Sequence, residues 1–156
     1  MSVTFRTVAR GDDYTAFRTL NEEWITRFFA LEPKDRETLG DPETHILDKG
    51  GVVIFGYQGH DPVACVALIP MGGGVYELSK MAVSPDLRGQ GVGRQLVLFA
   101  VEQARSLGGS KLFLGSSTRL PNAVHLYESV GFRHVPPEDL PPLPYVRANV
   151  FMQLTL

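Results

Sequence analysis

A glycine-rich stretch between two strongly patterned segments constrains this chain more than any other feature. Gly89, Gly91 and Gly93 alternate between Arg88 and Arg94, where a β-prone apolar run has ended and an amphipathic helical pattern starts. The first amides of a helix have no partner within the helix and carry the positive end of its dipole. Glycine also lets a bulky anion approach the backbone closely. The stretch therefore predicts a seat for a phosphate group.

Two common phosphate-binding loops do not fit this stretch. A P-loop ends in Gly-Lys-Ser or Gly-Lys-Thr, and no such ending is present. A dinucleotide-binding loop follows its strand directly, whereas about five residues separate the β-prone run from Gly89, and the third glycine comes one position early. A surface turn before a well-formed helix remains the alternative to a phosphate site.

Length and composition exclude several classes of protein. The 156 residues suit one domain with one core, spanning 1–156. A net charge of −2 does not indicate a nucleic-acid-binding surface, and no apolar run approaches the ~20 residues that cross a bilayer. The N-terminus lacks a signal-peptide core, which favours a cytoplasmic protein. The histidines and the single cysteine, Cys65, show no metal-ligand spacing, and Cys65 lies in an apolar run typical of a buried structural thiol.

Apolar periodicity predicts a regular succession of elements in the first half. Six apolar positions at steps of three and four predict one core-facing stripe on a helix: Tyr14, Phe17, Leu20, Trp24, Phe28 and Leu31. Glu32-Pro33 ends this helix, and a shorter helical segment follows at 34–48. The β-prone runs predict a first strand at 3–8 and an antiparallel meander at 52–57, 63–71 and 75–83.

The second half predicts a crossover connection. The helix after the glycine-rich stretch ends at Gly108-Gly109 and leads to a short strand at 111–115. A strand–helix–strand unit of this kind places strands 75–83 and 111–115 parallel to each other. A second helix at 121–130 and a strand at 132–135 follow.

A second block of sequence adds a family resemblance to this pattern. Arg88-x-x-Gly91-x-Gly93 resembles the pyrophosphate loop of the GNAT superfamily, the acetyl-CoA-dependent N-acetyltransferases. Asn122-Ala123-Val124-His125-Leu126-Tyr127-Glu128-Ser129-Val130-Gly131-Phe132 is similar to that family's Asn-Ala-x-x-x-Tyr-Glu-x-x-Gly-Phe segment. The resemblance covers essentially the whole chain. It implies an α/β (α+β) fold with a mixed, mostly antiparallel sheet of six to seven strands, helices on both faces, and a V-shaped splay between the fourth and fifth strands.

The resemblance implies acetyl-CoA as co-substrate and no metal. The loop amides would hold the pyrophosphate, strand backbone would pair with the pantetheine arm, and Asn122 would bind an arm amide. The residues implied are Met81, Ala82, Val83, Arg88, Gly89, Gln90, Gly91, Val92, Gly93, Arg94, Asn122 and Tyr127. Helix N-terminal capping is the alternative role for Asn122, and solvated surface charge is the alternative for Arg88 and Arg94.

The implied chemistry is direct attack of a primary amine on the thioester. Tyr127 stands where the family places a phenol near the thioester sulfur, so it is the candidate proton donor to the departing thiolate. Glu77, two residues before Ser79, is the candidate general base, because it stands where many members of the family carry a carboxylate that acts through water. Partial burial would raise the pKa of its carboxyl toward a useful value. An ordinary amphipathic tyrosine, a solvated glutamate and a base made of ordered water remain alternatives.

Two groups of polar residues suggest an acceptor site. Acidic residues of the first helices would attract a cationic amine: Glu22, Glu23, Glu32 and Asp35. Alternation along a final strand puts Tyr145, Arg147 and Asn149 on one face, where an arginine would bind a carboxylate in bidentate fashion. Together they favour an amino acid or another small zwitterion, although surface charge explains both groups equally well.

Three functions stay open at this point. The first is N-acetylation of a small-molecule amine, with no nucleic-acid or membrane partner. The second is N-acetylation of a protein or peptide, and the third is a non-catalytic acyl-CoA-binding sensor. An exposed Phe29 or the edge of the last strand would support a homodimer.

Overall fold

The structure, a computed structural model, describes residues 2–139 and 147–156. Within these residues the strands are β1 (Thr4–Thr7), β2 (Val52–Gln58), β3 (Asp61–Gly72), β4 (Val75–Val83), β5 (Lys111–Ser116), β6 (Arg133–His134) and β7 (Val150–Thr155). They form one sheet in the order β1-β2-β3-β4-β5-β7-β6. Neighbours are antiparallel except for β4 and β5, which are parallel, so the mixed, mostly antiparallel sheet is confirmed.

Helices cover both faces of this sheet. They are α1 (Thr15–Phe28), α2 (Pro33–Gly40), α3 (Pro42–His45), α4 (Val92–Ser106) and α5 (Pro121–Val130). Alternation along the strands separates two cores. Side chains such as Val53 and Phe55 pack with those of α1, whereas Ile54 and Val66 pack with those of α4. Cys65 is fully buried in the first core, as its apolar run predicts.

The parallel pair β4–β5 is short and then opens. Its register consists of Val75 with Lys111, Tyr76 with Leu112 and Glu77 with Phe113. Beyond Glu77, β4 stays paired with β3 and β5 stays paired with β7. The two strands therefore diverge after Glu77, and the V-shaped splay between the fourth and fifth strands is confirmed.

A bulge in β4 changes which way its last residues face. Cys65 pairs with Ala82 and Ala67 pairs with Ser79, so Lys80 and Met81 together oppose Val66. Lys80 adopts a left-handed φ of 57°, an uncommon and strained conformation for a residue with a side chain. The extra residue shifts the alternation by one. As a result Lys80 points toward α2, while Met81 packs against the α4 core.

Two expectations drawn from periodicity need correction. The fully buried positions of α1 are Phe17, Asn21 and Ile25, whereas Trp24 and Phe28 of the predicted core stripe are only half-buried. Helix α1 also ends at Phe28, before Leu31, and the chain restarts as a helix at Pro33. The wide apolar pattern did not distinguish side chains in the core from side chains at its margin.

The end of the chain also differs from its prediction. Strand β7 begins at Val150, so Arg147 and Asn149 precede it, and Tyr145 lies outside the described residues. Strand β7 is interior, because β5 and β6 flank it. The prediction that the last strand forms an edge of the sheet, where a homodimer could pair, is therefore wrong. Among residues 2–139 and 147–156, no helix is both long and apolar enough to cross a bilayer.

Candidate active site

The splay between β4 and β5 opens into a cavity of about 650 Å³. Its lining comes from the end of α1, the second half of β4, the glycine-rich stretch, the turn after β5, the start of α5, and Arg147-Ala148. We call the part formed by 88–94 and 122–127 the cofactor side. We call the part formed by 24–29, Glu77, Arg119 and Arg147 the acceptor side. Open sheets bind ligands where strands diverge, so this cavity is the candidate active site.

Three glycines shape the cofactor side for two different reasons. Gly89 and Gly91 have φ values of 80° and 81°, a conformation that residues with a Cβ rarely adopt. Gly93 lies inside α4, where a Cβ would meet the side chains of Leu126 and Met81 at 3.3 Å. The first amide of α4 to donate to a helical carbonyl is that of Gln95, and Gly91 supplies no side-chain cap. The preceding amides are oriented to receive an anion.

Asn122 and Tyr127 face this loop from α5. The N-cap of α5 is Leu120, so Asn122 stands at the second helical position and does not have the capping role considered as its alternative. Tyr127 is 8% exposed, packs its ring against Phe132 with centroids 5.7 Å apart, and directs its hydroxyl toward Met81 Sδ at 3.6 Å. Burial raises the pKa of Tyr127 to about 12. The phenol therefore keeps its proton at neutral pH and can donate a hydrogen bond into the cavity.

Glu77 stands at the closed end of the V. It is the last β4 residue paired with β5, and its side chain lines the cavity. Burial raises the pKa of its carboxyl above the ordinary range, although the positive charges of Lys80 and Lys34 act in the opposite direction. A raised carboxyl pKa suits a group that accepts a proton and later releases it.

Comparison with known proteins decides the family. The family model described as "Acetyltransferase (GNAT) family" matches residues 16–132. This chain belongs to the GNAT family. It is an acyltransferase that depends on acetyl-CoA. The predicted recognition and the fold it implied are thus confirmed.

Individual relatives agree with this family. The chain is 41% identical over 61 residues to the uncharacterized N-acetyltransferase YjgM of Escherichia coli, a stretch covering 39% of this chain and 36% of that protein. It is 29% identical over 160 residues to an uncharacterized N-acetyltransferase of Schizosaccharomyces pombe, with 99% and 96% covered. A GNAT acetyltransferase structure from Staphylococcus aureus shares the fold, with a TM-score of 0.87, 19% identity and 99% coverage of both chains.

A buried ion network forms the back of the acceptor side in this GNAT enzyme. Asp35 is fully buried and accepts hydrogen bonds from Lys80 Nζ at 2.9 Å and from the two terminal nitrogens of Arg147 at 2.7 and 2.8 Å. The backbone amide of Glu32 donates to Asp35 at 2.9 Å, and the Glu32 carboxylate accepts from Arg147 at 3.1 Å. Burial alone would raise the pKa of Asp35, but the bonds from Arg147 and the charge of Lys80 lower it to about 2.

Sequence reasoning did not find Lys80 as a member of this network, which centres on Asp35. Burial lowers the pKa of the Lys80 ammonium, while the charge of Asp35 opposes that shift. The only sequence signal was a lysine inside an apolar, β-prone run. A lysine is almost never fully buried unless it is paired, so its position implied an acidic partner without identifying which one.

An aromatic wall on the acceptor side was also missed. Trp24 and Phe29 line the cavity and meet edge to face, with ring centroids 6.3 Å apart and planes at 88°. Arg147 lies over the Trp24 ring at 5.9 Å and Arg119 over the Phe29 ring at 4.9 Å. Phe29 is therefore half-buried in the cavity wall, and the homodimer prediction loses its second supporting feature.

The remaining predicted residues divide into those near the cavity and those turned away. Met81, Ala82, Val83, Arg88, Gly89, Gly91, Gly93, Arg94 and Arg147 line it. Arg88 pairs with Glu23 at 2.8 Å, and Arg94 donates to Ser129 at 2.8 Å. Gln90 donates to the carbonyl of Asp86, outside the lining, and Val92 is buried beneath the loop.

Two predicted acceptor residues are occupied elsewhere. Glu22 pairs with Arg18 one turn earlier at 3.2 Å. Asn149 accepts from the amide of Thr118 at 2.9 Å and so braces the turn after β5. In the described part of the chain, no three histidine, cysteine, aspartate or glutamate side chains cluster as they would around a metal ion.

Proposed function

We propose that this enzyme acetylates a primary amine of a small molecule, with Glu77 as general base and Tyr127 as general acid. One observation supports this most directly. A single cavity at the splay is lined by a half-buried carboxylate at its closed end, a buried phenol, and a loop of open helix amides. These are the three kinds of group that acetyl transfer from a diphosphate-bearing thioester needs.

The cofactor side would bind acetyl-CoA through backbone. Hydrogen bonds to a charged group contribute roughly 1.5–3 kcal/mol each, whereas the helix dipole adds only ~0.3–1 kcal/mol. The amides around Gly91 to Arg94 therefore carry more of the pyrophosphate affinity than the dipole does. Within residues 2–139 and 147–156, β4 has no partner strand on its β5 side beyond Glu77, which leaves backbone near Met81 and Val83 to pair with the pantetheine arm. Asn122, free of a capping role, would bind an amide of the arm.

The acetyl group passes directly from the thioester to the amine, without a covalent enzyme intermediate. The amine nitrogen attacks the thioester carbonyl carbon, a C–N bond forms, and the C–S bond breaks. Glu77 takes the proton lost by the amine, directly or through water, and the Tyr127 hydroxyl gives its proton to the departing thiolate. Burial raises the pKa of Tyr127 to about 12, so the phenol is protonated when the thiolate forms, and transfer to a thiolate of lower basicity depends on close contact and desolvation of the sulfur.

Three of the acidic and basic side chains predicted to meet the acceptor are already bound to one another. Arg147 had been predicted to bind a substrate carboxylate, but its guanidinium already holds Asp35 and Glu32. Glu32 and Asp35 are equally engaged, so they do not form an acidic wall for a cationic amine. Glu77 is then the carboxylate that faces the cavity from the described residues.

An amine panel with two readouts tests this proposal. Calorimetry measures acetyl-CoA binding, and a thiol assay measures CoA release with free amines, amino acids and short peptides. Release with small amines supports the proposal. Release with peptides alone would favour the protein-modifying alternative, and binding without release for any amine would favour the sensor.

A further inference from the structure

We propose that the acceptor is an amine that also carries a carboxylate and an apolar side chain. Arg119 binds the carboxylate, and Trp24 with Phe29 receives the side chain. This assignment rests on the proposed function and deepens it. It concerns the acceptor side only, where none of these three residues had been predicted to bind substrate.

The aromatic wall is held in place from behind. Asn21 is fully buried in α1 and accepts a hydrogen bond from Trp24 Nε1 at 3.0 Å. Asn21 itself donates to the carbonyl of Phe17 at 2.8 Å and contacts Cys65 Sγ at 3.4 Å. The indole N–H is thus satisfied within the protein, and Trp24 and Phe29 contribute apolar ring surface to the cavity lining. A preformed apolar wall of this kind is suited to an aliphatic or aromatic side chain.

The two arginines that flank this wall differ in what they already bind. Arg147 is largely buried and directs both terminal nitrogens at Asp35. Arg119 is exposed, lies over the Phe29 ring, and has no carboxylate within ion-pair distance among residues 2–139 and 147–156. Stacking on a ring leaves the edge of a guanidinium open to a carboxylate, which it can bind through two parallel hydrogen bonds.

The surrounding charges favour a zwitterion over a dication. In the described residues Glu77 is the carboxylate of the lining, whereas Lys80, Arg88, Arg94, Arg119 and Arg147 are its basic residues. Glu23 compensates the charge of Arg88, and Asp35 with Glu32 compensates Lys80 and Arg147. Within residues 2–139 and 147–156, Arg119 is the lining cation of the acceptor side that has no carboxylate within ion-pair distance. A diamine would place its second cation near Arg119, whereas an amino acid would place a carboxylate there. The acceptor amine itself would be directed to Glu77.

Matched substrate pairs test the assignment. The value of kcat/KM is measured for phenylalanine against phenethylamine, and for methionine against 3-(methylthio)propylamine, which differ in the carboxylate. The wild-type enzyme is expected to favour each amino acid by about tenfold or more. Arg119→Met should remove most of that preference by raising KM for the amino acid, with phenethylamine little changed. Arg119→Lys should restore part of it, since a lysine keeps the charge but loses the bidentate geometry.

Controls separate this assignment from the reaction itself. Arg133→Met removes an exposed arginine of β6 that does not line the cavity, and it should leave the preference unchanged. CoA release with an unaltered amino-acid preference in Arg119→Met would overturn the assignment alone. A wild-type preference for diamines would do the same. No CoA release with any amine would overturn the proposed function and this assignment together.

Discussion

The two sides of the cavity are built from different ranges of sequence. The cofactor side uses a loop of seven residues, 88–94, and one segment of α5, and its shape follows from local backbone conformation. The acceptor side joins α1, α2, β4 and the segment before β7. Its central contacts connect Asp35 with Lys80, 45 residues away, and with Arg147, 112 residues away.

This difference predicts that the two sides fail in different ways when they are altered. A local loop can lose its ligand while the fold survives, because most of its residues are exposed and only Val92 belongs to the core. A buried ion network cannot lose one member without leaving an uncompensated charge in the interior. The acceptor side should therefore couple to stability, and the cofactor side to binding and rate.

Breaking the network should have the largest effect. Asp35→Asn leaves Lys80 and Arg147 without their shared anion, and removal of one member of a buried ion pair costs about 3–5 kcal/mol. Urea unfolding measures the change in the free energy of unfolding. Glu37→Gln, on the exposed side of the same helix, is the matched control and should change little. An Asp35→Asn protein as stable as the wild type would show that the two sides do not differ in this way.

The same variant carries a pH signature. The pKa of Asp35 is lowered to about 2 in the folded protein, below the ~3.9 of an unfolded chain. Its contribution to stability is therefore complete above about pH 4 and is lost as the pH falls toward 2. The difference in the free energy of unfolding between the wild type and Asp35→Asn should become smaller as the pH falls from 4 toward 2. Urea unfolding repeated at several acidic pH values measures this difference.

Removing one hydroxyl tests the chemistry on the cofactor side. Tyr127→Phe should lower kcat by roughly a hundredfold, the lower end of general acid catalysis, with acetyl-CoA affinity and stability nearly unchanged. The ring packing against Phe132 stays, and the lost contact is one weak bond to Met81 Sδ. Tyr57→Phe, in β2 and away from the cavity, serves as the control. An unchanged kcat at saturating substrate would remove Tyr127 from the mechanism.

A substitution at Gly91 tests whether the loop holds the diphosphate of acetyl-CoA. Gly91→Glu should weaken acetyl-CoA binding by about tenfold or more, because it places a carboxylate against the pyrophosphate. The left-handed φ of 81° would strain any side chain there, so Gly91→Asn provides the reference, since asparagine tolerates that conformation without a charge. Calorimetry compares the two. Equal affinities would mean that the loop does not hold the diphosphate.

The smallest effect on stability should come from Glu77, whereas loss of this proposed general base should lower kcat by about a hundredfold or more. Its folded pKa is raised, so the folded protein binds this proton more tightly than the unfolded chain does. The associated stability is present below the unfolded pKa of ~4.3 and is lost as the pH rises through the folded pKa. Glu77→Gln mimics the protonated form, so it should be slightly more stable than the wild type at neutral pH, but not near pH 4. It should also abolish the acid limb of the pH–rate profile.

Much of the fold and of the cofactor side could be predicted from local pattern. Strand alternation, the crossover after Val83 and the glycine-rich loop are each encoded within a few consecutive residues, and the structure contains all three. The first helix shows the limit of this approach. Trp24 fits an apolar stripe as well as Ile25 does, but only the neighbouring strands decide that Ile25 enters the core and Trp24 borders the cavity.

The contacts of the acceptor side were even harder to predict from local sequence pattern. The left-handed turn of the backbone at Lys80 moves every later side chain of β4 to the opposite face, and no glycine or proline marks it in the sequence. Arg147 was recognised as a carboxylate binder, but the carboxylate that it holds belongs to the protein itself. Charge pairing across more than a hundred residues has no local signature.

The amino-acid sequence by itself determined the order of the elements, the parallel crossover and the position of the glycine-rich loop, because periodicity and glycine conformation act over a few neighbouring residues. Only the tertiary structure decided that Arg147 pairs with Asp35 and Glu32, whereas Arg119 has no carboxylate within ion-pair distance in the described part of the chain. That difference depends on which charges become buried together, since a buried charge must find its partner wherever the fold places one.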